Sequence, residues 1–417
     1  MIDRSLGAAA SGIETMQTEL DTIGNNIANS ETVGFKSGTA EFQNLLSDVL
    51  TPAGAAGANS GSINPSAVGA GDALAGIYTN FSEGAISQTG IATDVAIAGN
   101  GFLMVNSNGQ IGYTRDGQLQ LDTNGRLTEP NGGLVLGWLP GQPTSAAPGA
   151  LSIIAGSTEA PAQTQNVTVG GNLDSASTTP VTLTTSIFDS LGTSVPVTVT
   201  FTPNGSGSWS LQGTVAGAAS PLWTTPQTVT FGTDGQMATL NGAAVGAGQT
   251  TLAIGNAPSN FTWAKGAPSL ELPPVGSQNA LTQFANTSTA AVTSQDGYAS
   301  GVLQSYGIGA NGTITGTYSN GQSQSLGTIA LAQFANPNGL IDTGGTFFQP
   351  SAASGNPRLG TPGEGGLGTL QGGAVEGSNV DLAAELTNLI EAQTAYQANT
   401  KVVNSSSAAL SSLIQMS

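Results

Sequence analysis

Residues 6–27 read LGAAASGIETMQTELDTIGNNI. Leu6, Ile13, Leu20 and Ile27 stand seven apart, and Ala9, Met16 and Ile23 form a second line at the same spacing. Apolar residues on two such lines over three heptads predict a helix with one narrow seam, the kind that two helices bury on each other. The far end of the chain carries a matching signal. Leu382, Leu389, Tyr396, Val403 and Leu410 repeat every seven residues, with Leu386, Ala392, Asn399, Ser406 and Leu413 as a mixed companion line. Asn379 or Ser378 is placed to cap that helix, and Asp381 and Glu385 fall in or near a first turn, where the helix dipole favours acids. Each helix is expected to run about 30 residues, or about 45 Å.

The sequence between these ends is β-like, so the simplest way to bury both seams is to pair the helices with each other. Charge does not drive that pairing. The first helix carries Asp3, Glu14, Glu19 and Asp21 against Arg4, and the second Asp381, Glu385 and Glu391 against Lys401. A single acidic pair with Asn and Ser in its seam is expected to be marginal, frayed in a free monomer and ordered when many pairs are bundled. The first helix ends in GNNIANSETVGFK (Gly24–Lys36), an amide-rich exit. Asn25, Asn26 and Asn29 offer donors and acceptors to neighbouring chains. Local capping by Asn29 or Ser30 is the plainer use of the same residues. Gly34 permits a turn into the next segment, and Phe35 is placed to anchor it.

Composition sets bounds on function. The 417 residues include 60 Gly, only 8% charged and 5% aromatic residues, and 25 acidic against 7 basic side chains, for a net charge of −18. The seven cations are scattered, so no basic stripe addresses nucleic acid or an anionic membrane. With no Cys and no His, disulfides, thiolate or imidazole metal sites and His general bases are excluded. No apolar run approaches the roughly 20 residues that span a bilayer. The opening MIDRSLGAAASGIETM is broken by Gly12 and Glu14, with Asp3 beside Arg4, so no cleaved secretory signal is expected.

The middle of the chain reads as strands between tight turns. Asp94–Trp138 holds five Asn-Gly or Asp-Gly pairs, each suited to a type I′ hairpin turn. The texture returns at Gly312–Phe334. Val181–Thr202 reads as two strands about a DSLG turn, and Gln227–Leu240 repeats the form. Pro- and Gly-rich stretches at Pro140–Pro148 and Pro268–Gly276 mark joins, and Thr51–Gly71 reads as an adaptable linker. The expected class is mainly β with α-helical termini. Its domains are 1–30 with 378–417 as a coiled-coil pair, 31–75 as an extended linker, 76–150 with 277–377 as a discontinuous β domain, and 151–276 as an inserted outer β domain.

Catalytic patterns are weak. GIGANG (Gly307–Gly312) matches a dinucleotide fingerprint but precedes a strand, where the fingerprint needs a helix. Asp116, Asp122, Asp189, Asp234 and Asp296 sit beside Gly in turns, where Asp bonds local backbone. Asp122-Thr-Asn-Gly125 has the start of a calcium loop without its distal Glu. No catalytic, cofactor or metal residue is nominated.

The ends carry a resemblance. GNNIANSETVGFK and SNVDLAAELTNLIEAQTAYQANTKVV (Ser378–Val403) resemble the terminal signatures of the bacterial flagellar axial proteins, the rod, hook and hook-associated family. Gly99–Phe102 with Tyr113–Gly117 resembles the β domain shared by hook and distal rod proteins. Gln295–Tyr298, Tyr318–Gly321 and Ile329–Leu340 resemble the hook branch, as does Phe188–Gly192 within the otherwise loosely similar insertion. Thr394 stands where the family often has Arg. The resemblance implies a non-enzymatic subunit of a curved tube that transmits torque from rod to filament. It implies a homopolymer exported through the flagellar type III apparatus, with a hook cap protein, a distal rod protein and a hook–filament junction protein as partners. A distal rod protein, a secreted adhesin and a carbohydrate-active protein are the alternatives. Subunit contacts are expected at Leu6, Ile13, Met16, Leu20, Ile23, Asn25, Asn26, Ile27 and Asn29 of the first helix. On the second they are expected at Leu382, Leu386, Leu389, Tyr396, Asn399, Val403 and Leu410.

Overall fold

The structure, a computed structural model, describes residues 2–53, 62, 64–217, 220–245, 250–254, 261, 263–273, 276–277 and 279–416. It is mainly β with one long helix at each end: α1 (Ile2–Ala28) and α2 (Leu382–Met416). Asp381 caps α2, its Oδ1 accepting the backbone N–H of Ala383 at 3.0 Å and of Ala384 at 3.2 Å. The cap is thus Asp381 and not Asn379 or Ser378, because Asn379 turns elsewhere: its Nδ2 donates to Asn80 O at 2.7 Å and its Oδ1 accepts Ser37 N at 2.8 Å.

The chain divides into two units, residues 1–154 with 306–316 and 324–417, and residues 155–305 with 317–323. In the first, strands Phe102–Ser107 and Gln110–Thr114 form a hairpin. Its Asn108-Gly109 turn has positive φ at both positions (53° and 88°), as type I′ requires. At Asn124-Gly125 and Asn131-Gly132 only the glycine is left-handed, and a neighbouring acid closes the turn through its side chain (Asp122 to Asn124 N, Glu129 to Asn131 N). The five pairs were expected to make five such hairpins; among them only Asn108-Gly109 has both residues left-handed.

Leu134–Trp138 and Leu331–Gln333 both pair with Phe102–Ser107, and Phe347–Gln349 pairs with Gln110–Thr114. Sequence far beyond the insertion thus returns to complete this sheet. Phe102, Met104, Tyr113, Leu136, Trp138, Phe334 and Phe348 form its core, with Tyr113 and Phe334 edge to face at 4.8 Å.

The second unit holds a meander in sequence order: Val181–Phe188, Ser194–Gly205, Ser208–Val215, Gln227–Phe231, Met237–Leu240 and Ala243–Ala244. Strict alternation sends Val195, Val197, Val199 and Phe201 inward and Thr198, Thr200 and Thr202 outward. The inner face shares a core with a second sheet through Val167, Val169, Leu270 and Leu281. Strands Leu281–Thr282 and Ala291–Gln295 pair with Asn166–Asn172. Residues 277–305, expected in the first β domain, therefore belong with the insertion, since their strands find partners there.

The segment expected as a linker, 31–75, instead contributes the strands of an antiparallel arm. Gly38–Asn44 pairs with Asp72–Thr79, and Asp48–Thr51 with Ser66–Val68. Residues 54–61 and 63 of the Ala/Gly/Ser/Pro stretch lie outside the described set. GIGANG forms a hairpin turn, with Gly312 N bonded to Gly309 O at 2.9 Å. The turn Asp residues bond local backbone: Asp122 Oδ1 accepts Asn124 N at 2.8 Å, and Asp189 Oδ1 accepts Leu191 N at 2.9 Å.

Candidate assembly interface

The two terminal helices pack antiparallel. Ser5 Oγ lies 3.3 Å from Ser406 Oγ. A Cβ on Gly12 would stand 2.6 Å from the Asn399 amide nitrogen. Asn26 Nδ2 donates to Glu385 Oε1 at 2.9 Å. These contacts step by seven and then fourteen along α1 and back by the same steps along α2, as a coiled-coil register demands. The first seam line is therefore Ser5, Gly12, Glu19 and Asn26, one residue before the expected Leu6, Ile13, Leu20 and Ile27. The opposing line is Glu385, Ala392, Asn399 and Ser406, so Glu385 occupies the place expected for Leu386.

The displacement has a physical cause: α1 serves two partners. Beside its α2 contacts it also meets the arm, where Thr15 Oγ1 donates to Asp72 Oδ2 at 2.8 Å and Ser11 Oγ to Asp72 Oδ1 at 3.2 Å. Of the apolar residues beside the seam, Ala9 and Ile23 are buried and Leu6, Ile13, Met16, Leu20 and Ile27 are left half-buried. Burial, with the Glu391 carboxylate nearby, raises the Glu19 carboxyl above the ordinary carboxylate range, so like charge meets across the pair.

Of the nominated residues, Ile23 and Asn26 are buried within the chain. Leu6, Ile13, Met16, Leu20, Ile27, Asn29, Leu389, Tyr396, Asn399, Val403 and Leu410 are half-buried, and Asn25, Leu382 and Leu386 are exposed. Leu413 lies on α2, with its side chain outside the described set. Ile390 joins Leu382 and Leu386 at a four-residue step and is 64% exposed, which makes an uncovered apolar stripe on the first turns of α2. The arm adds a second uncovered apolar surface through Leu46 (92% exposed), Val49, Leu50, Ile77 and Tyr78. Neither Ile390 nor the arm was nominated; a stripe of Leu, Leu and Ile at positions i, i+4 and i+8 was the signal for the first.

The amides divide by role. Asn26 is satisfied inside the chain: besides Glu385 it donates to Gly38 O at 2.8 Å and accepts Gly38 N at 2.9 Å. Its expected place in contacts between chains is thereby taken by the arm. Asn29 Nδ2 donates to Asn25 O at 3.0 Å and to Asn25 Oδ1 at 2.7 Å, which closes the helix end locally. The Asn25 side chain faces solvent.

Just past the helix end, an ion cluster that sequence reasoning missed is buried. Glu376, fully shielded, accepts from Lys36 Nζ and from Arg115 Nη1, the latter at 3.1 Å. Its Oε1 also accepts Gly84 N at 2.8 Å. Arg115 Nη2 donates to Gly99 O at 2.7 Å, and the guanidinium stands 5.6 Å from the centre of the Phe102 ring. Burial lowers the Lys36 ammonium below its ordinary range, against the pull of Glu376. Burial likewise pushes the adjacent Asp116 carboxyl up to about 6. Gly34, with φ +71°, is wedged here: a Cβ would lie 2.6 Å from Asp116 N. GFK, TRD and the residue pair before the second signature thus meet in space. The available signal was scarcity: Lys36 and Arg115 are two of only seven cations, and each stands two residues from a glycine, Gly34 and Gly117. Among the described residues no His, Cys, Asp or Glu group is arranged to hold a metal ion.

Comparison with known proteins agrees along the whole chain. Four family models match: "Flagella basal body rod protein" at residues 6–36, "Flagellar hook protein FlgE/F/G D1 domain" at 96–172, "Flagellar basal body protein FlaE D2 domain" at 158–298, and "Flagellar basal body rod FlgEFG protein C-terminal" at 371–416. The flagellar hook protein FlgE of Borreliella burgdorferi is 34% identical over 442 residues, covering 99% of both chains. That of Escherichia coli K12 is 34% identical over 427 residues, covering 98% of both. The crystal structure of Helicobacter pylori flagellar hook protein FlgE2 superposes with a TM-score of 0.48 at 14% identity, covering 68% of this chain and 99% of that one. With paired terminal helices, nested β units and full-length similarity at this level, the chain belongs to the flagellar hook protein family.

Proposed function

We propose that this hook subunit assembles by burying, against further copies of itself, the apolar surfaces that its own fold leaves open. The observation that carries this reading is the mismatch within the helix pair. Its inner layers are small or polar (Ser5 with Ser406, Gly12 with Asn399), while Leu382, Leu386 and Ile390 face outward. A lone pair built this way is weakly held. A bundle of pairs covers the outer stripe and gains about 1.5–3 kcal/mol per fully buried Leu or Ile. Leu6, Ile13, Met16, Leu20, Ile27, Leu389, Tyr396, Val403 and Leu410, half-covered within the chain, complete the contact surface.

The resulting tube carries torque through its helical core. The β units ride outside, where uncharged Thr and Ser faces give many weak contacts that exchange as the tube bends. Growth occurs under a hook cap protein, between a distal rod protein and a hook–filament junction protein, after export through the flagellar type III apparatus. The role is mechanical, with no catalytic step.

Electron microscopy of the purified chain, with and without residues 1–30 and 378–417, tests the reading. Tubes from the intact chain and none from the truncated one are expected; an intact chain that stays monomeric at high concentration ends it. Added salt should speed assembly, because both helices are acidic. Asn25→Ala should leave both β units folded and slow polymerisation, measured by turbidity.

A further inference from the structure

Three single crossings of backbone meet where the helix pair, its arm and the first β unit join: residues 34–38 from α1 to the arm, 79–85 from the arm to the β unit, and 374–380 from the β unit to α2. A lone crossing has two soft dihedrals per residue and transmits little twist. Here each crossing is tied to another. Gly34 N donates to Glu376 O at 2.8 Å, Asn80 N to Ser37 O at 2.8 Å, and Gly377 N to Ala85 O at 2.8 Å. Lys36 Nζ spans from Glu376 to Ser82 O, the latter at 2.7 Å. Asn379 holds both Asn80 and Ser37. The approach is backbone to backbone: a Cβ on Gly84 would stand 2.1 Å from Gly377 O. Arg115 then fastens the knot to the β unit through Glu376 and Gly99 O.

We infer that Lys36, Glu376 and Arg115 form a torsional clamp, which makes the three crossings one stiff joint so that rotation of the helix pair is passed to the first β unit without slack. The purpose rests on the hook reading above; the stiffness does not. A buried charge cluster is a costly way to gain stability compared with apolar packing, and its surest return is a single fixed geometry. Each member reaches a different crossing or the β unit itself, and a guanidinium holds two acceptors in a fixed plane.

The native chain has no Cys, so Asn388→Cys on α2 and Thr123→Cys in the β unit give two unique sites for spin labels. Labelled chains are co-assembled as a small fraction into unlabelled hooks, and pulsed electron paramagnetic resonance reads the distance between labels. The expected result is a narrow distribution for the otherwise native chain and one about twofold broader for Glu376→Gln, given the range of motion that soft backbone permits. Arg115→Lys keeps the charge and loses the fork, so it should broaden the distribution by an intermediate amount. It serves as the deciding variant where Glu376→Gln subunits do not co-assemble. An unchanged width in the variant that co-assembles, or a broad distribution in the native background, overturns the clamp. Absence of tubes from the unlabelled chain would instead overturn the hook reading, so the two failures are distinct.

Discussion

The inserted unit and the helix pair solve the same problem in opposite ways. The insertion buries Phe201, Trp209, Val199, Leu211 and Val229 between two sheets and leaves Thr and Ser outside. It is complete alone. The helix pair puts Ser, Gly, Asn and Glu at its closest contacts and leaves Leu382, Leu386 and Ile390 exposed. The difference teaches where self-sufficiency ends in this chain: the insertion encloses a large apolar core of its own, whereas the helix pair keeps Leu and Ile exposed, and under the proposed assembly those are what further copies would cover.

The largest effect that tests this contrast is Phe201→Ala. It should cost the insertion about 3–5 kcal/mol, read by urea unfolding, and leave helix content in assembled hooks unchanged. A parallel loss of helix would show that the two regions are one cooperative body. Next comes Gly12→Leu, which drives a side chain into Asn399 and should weaken the helix pair by about 1–3 kcal/mol. Circular dichroism of the assembled chain should then lose helical signal while the β melting transition stays in place.

Asn26→Ala removes the bridge from α1 to Gly38 and Glu385, an expected loss of about 1 kcal/mol, seen as faster hydrogen exchange at Gly38. The smallest is Glu19→Gln, which relieves the like-charge contact with Glu391 and should stabilise the pair by a few tenths of a kcal/mol. Because burial raises the Glu19 pKa, the folded pair binds a proton more readily than the unfolded one. Native helix stability should therefore rise as pH falls through the raised Glu19 pKa toward the ordinary carboxylate range, with the gain complete below it. Glu19→Gln should flatten that slope.

Much of this plan was legible in residues 1–30, 94–138 and 378–417. Heptads and Asn-Gly turns are local signals, and two helices and a nested set of β units follow from them. The register was not legible. Choosing the seam by apolarity favours Leu6 and Ile13, but close antiparallel helices meet where side chains are small, at Gly12, and a second partner draws Thr15 and Asn26 away. The arm was hidden because low-complexity sequence between residues 51 and 71 masks the alternation of Thr39–Gln43 and Leu74–Tyr78 on either side. The ion cluster was hidden for another reason: Lys36 and Glu376 are 340 positions apart, and no local pattern announces a partner at that distance.

Ser5 meets Ser406 across 401 positions. The entropy of closing so long a loop grows only with the logarithm of its length, so the separation itself adds little to the cost of joining the two helices. Neither helix has its mate until both are made, and the pairing therefore depends on residues near 406 as much as on those near 5.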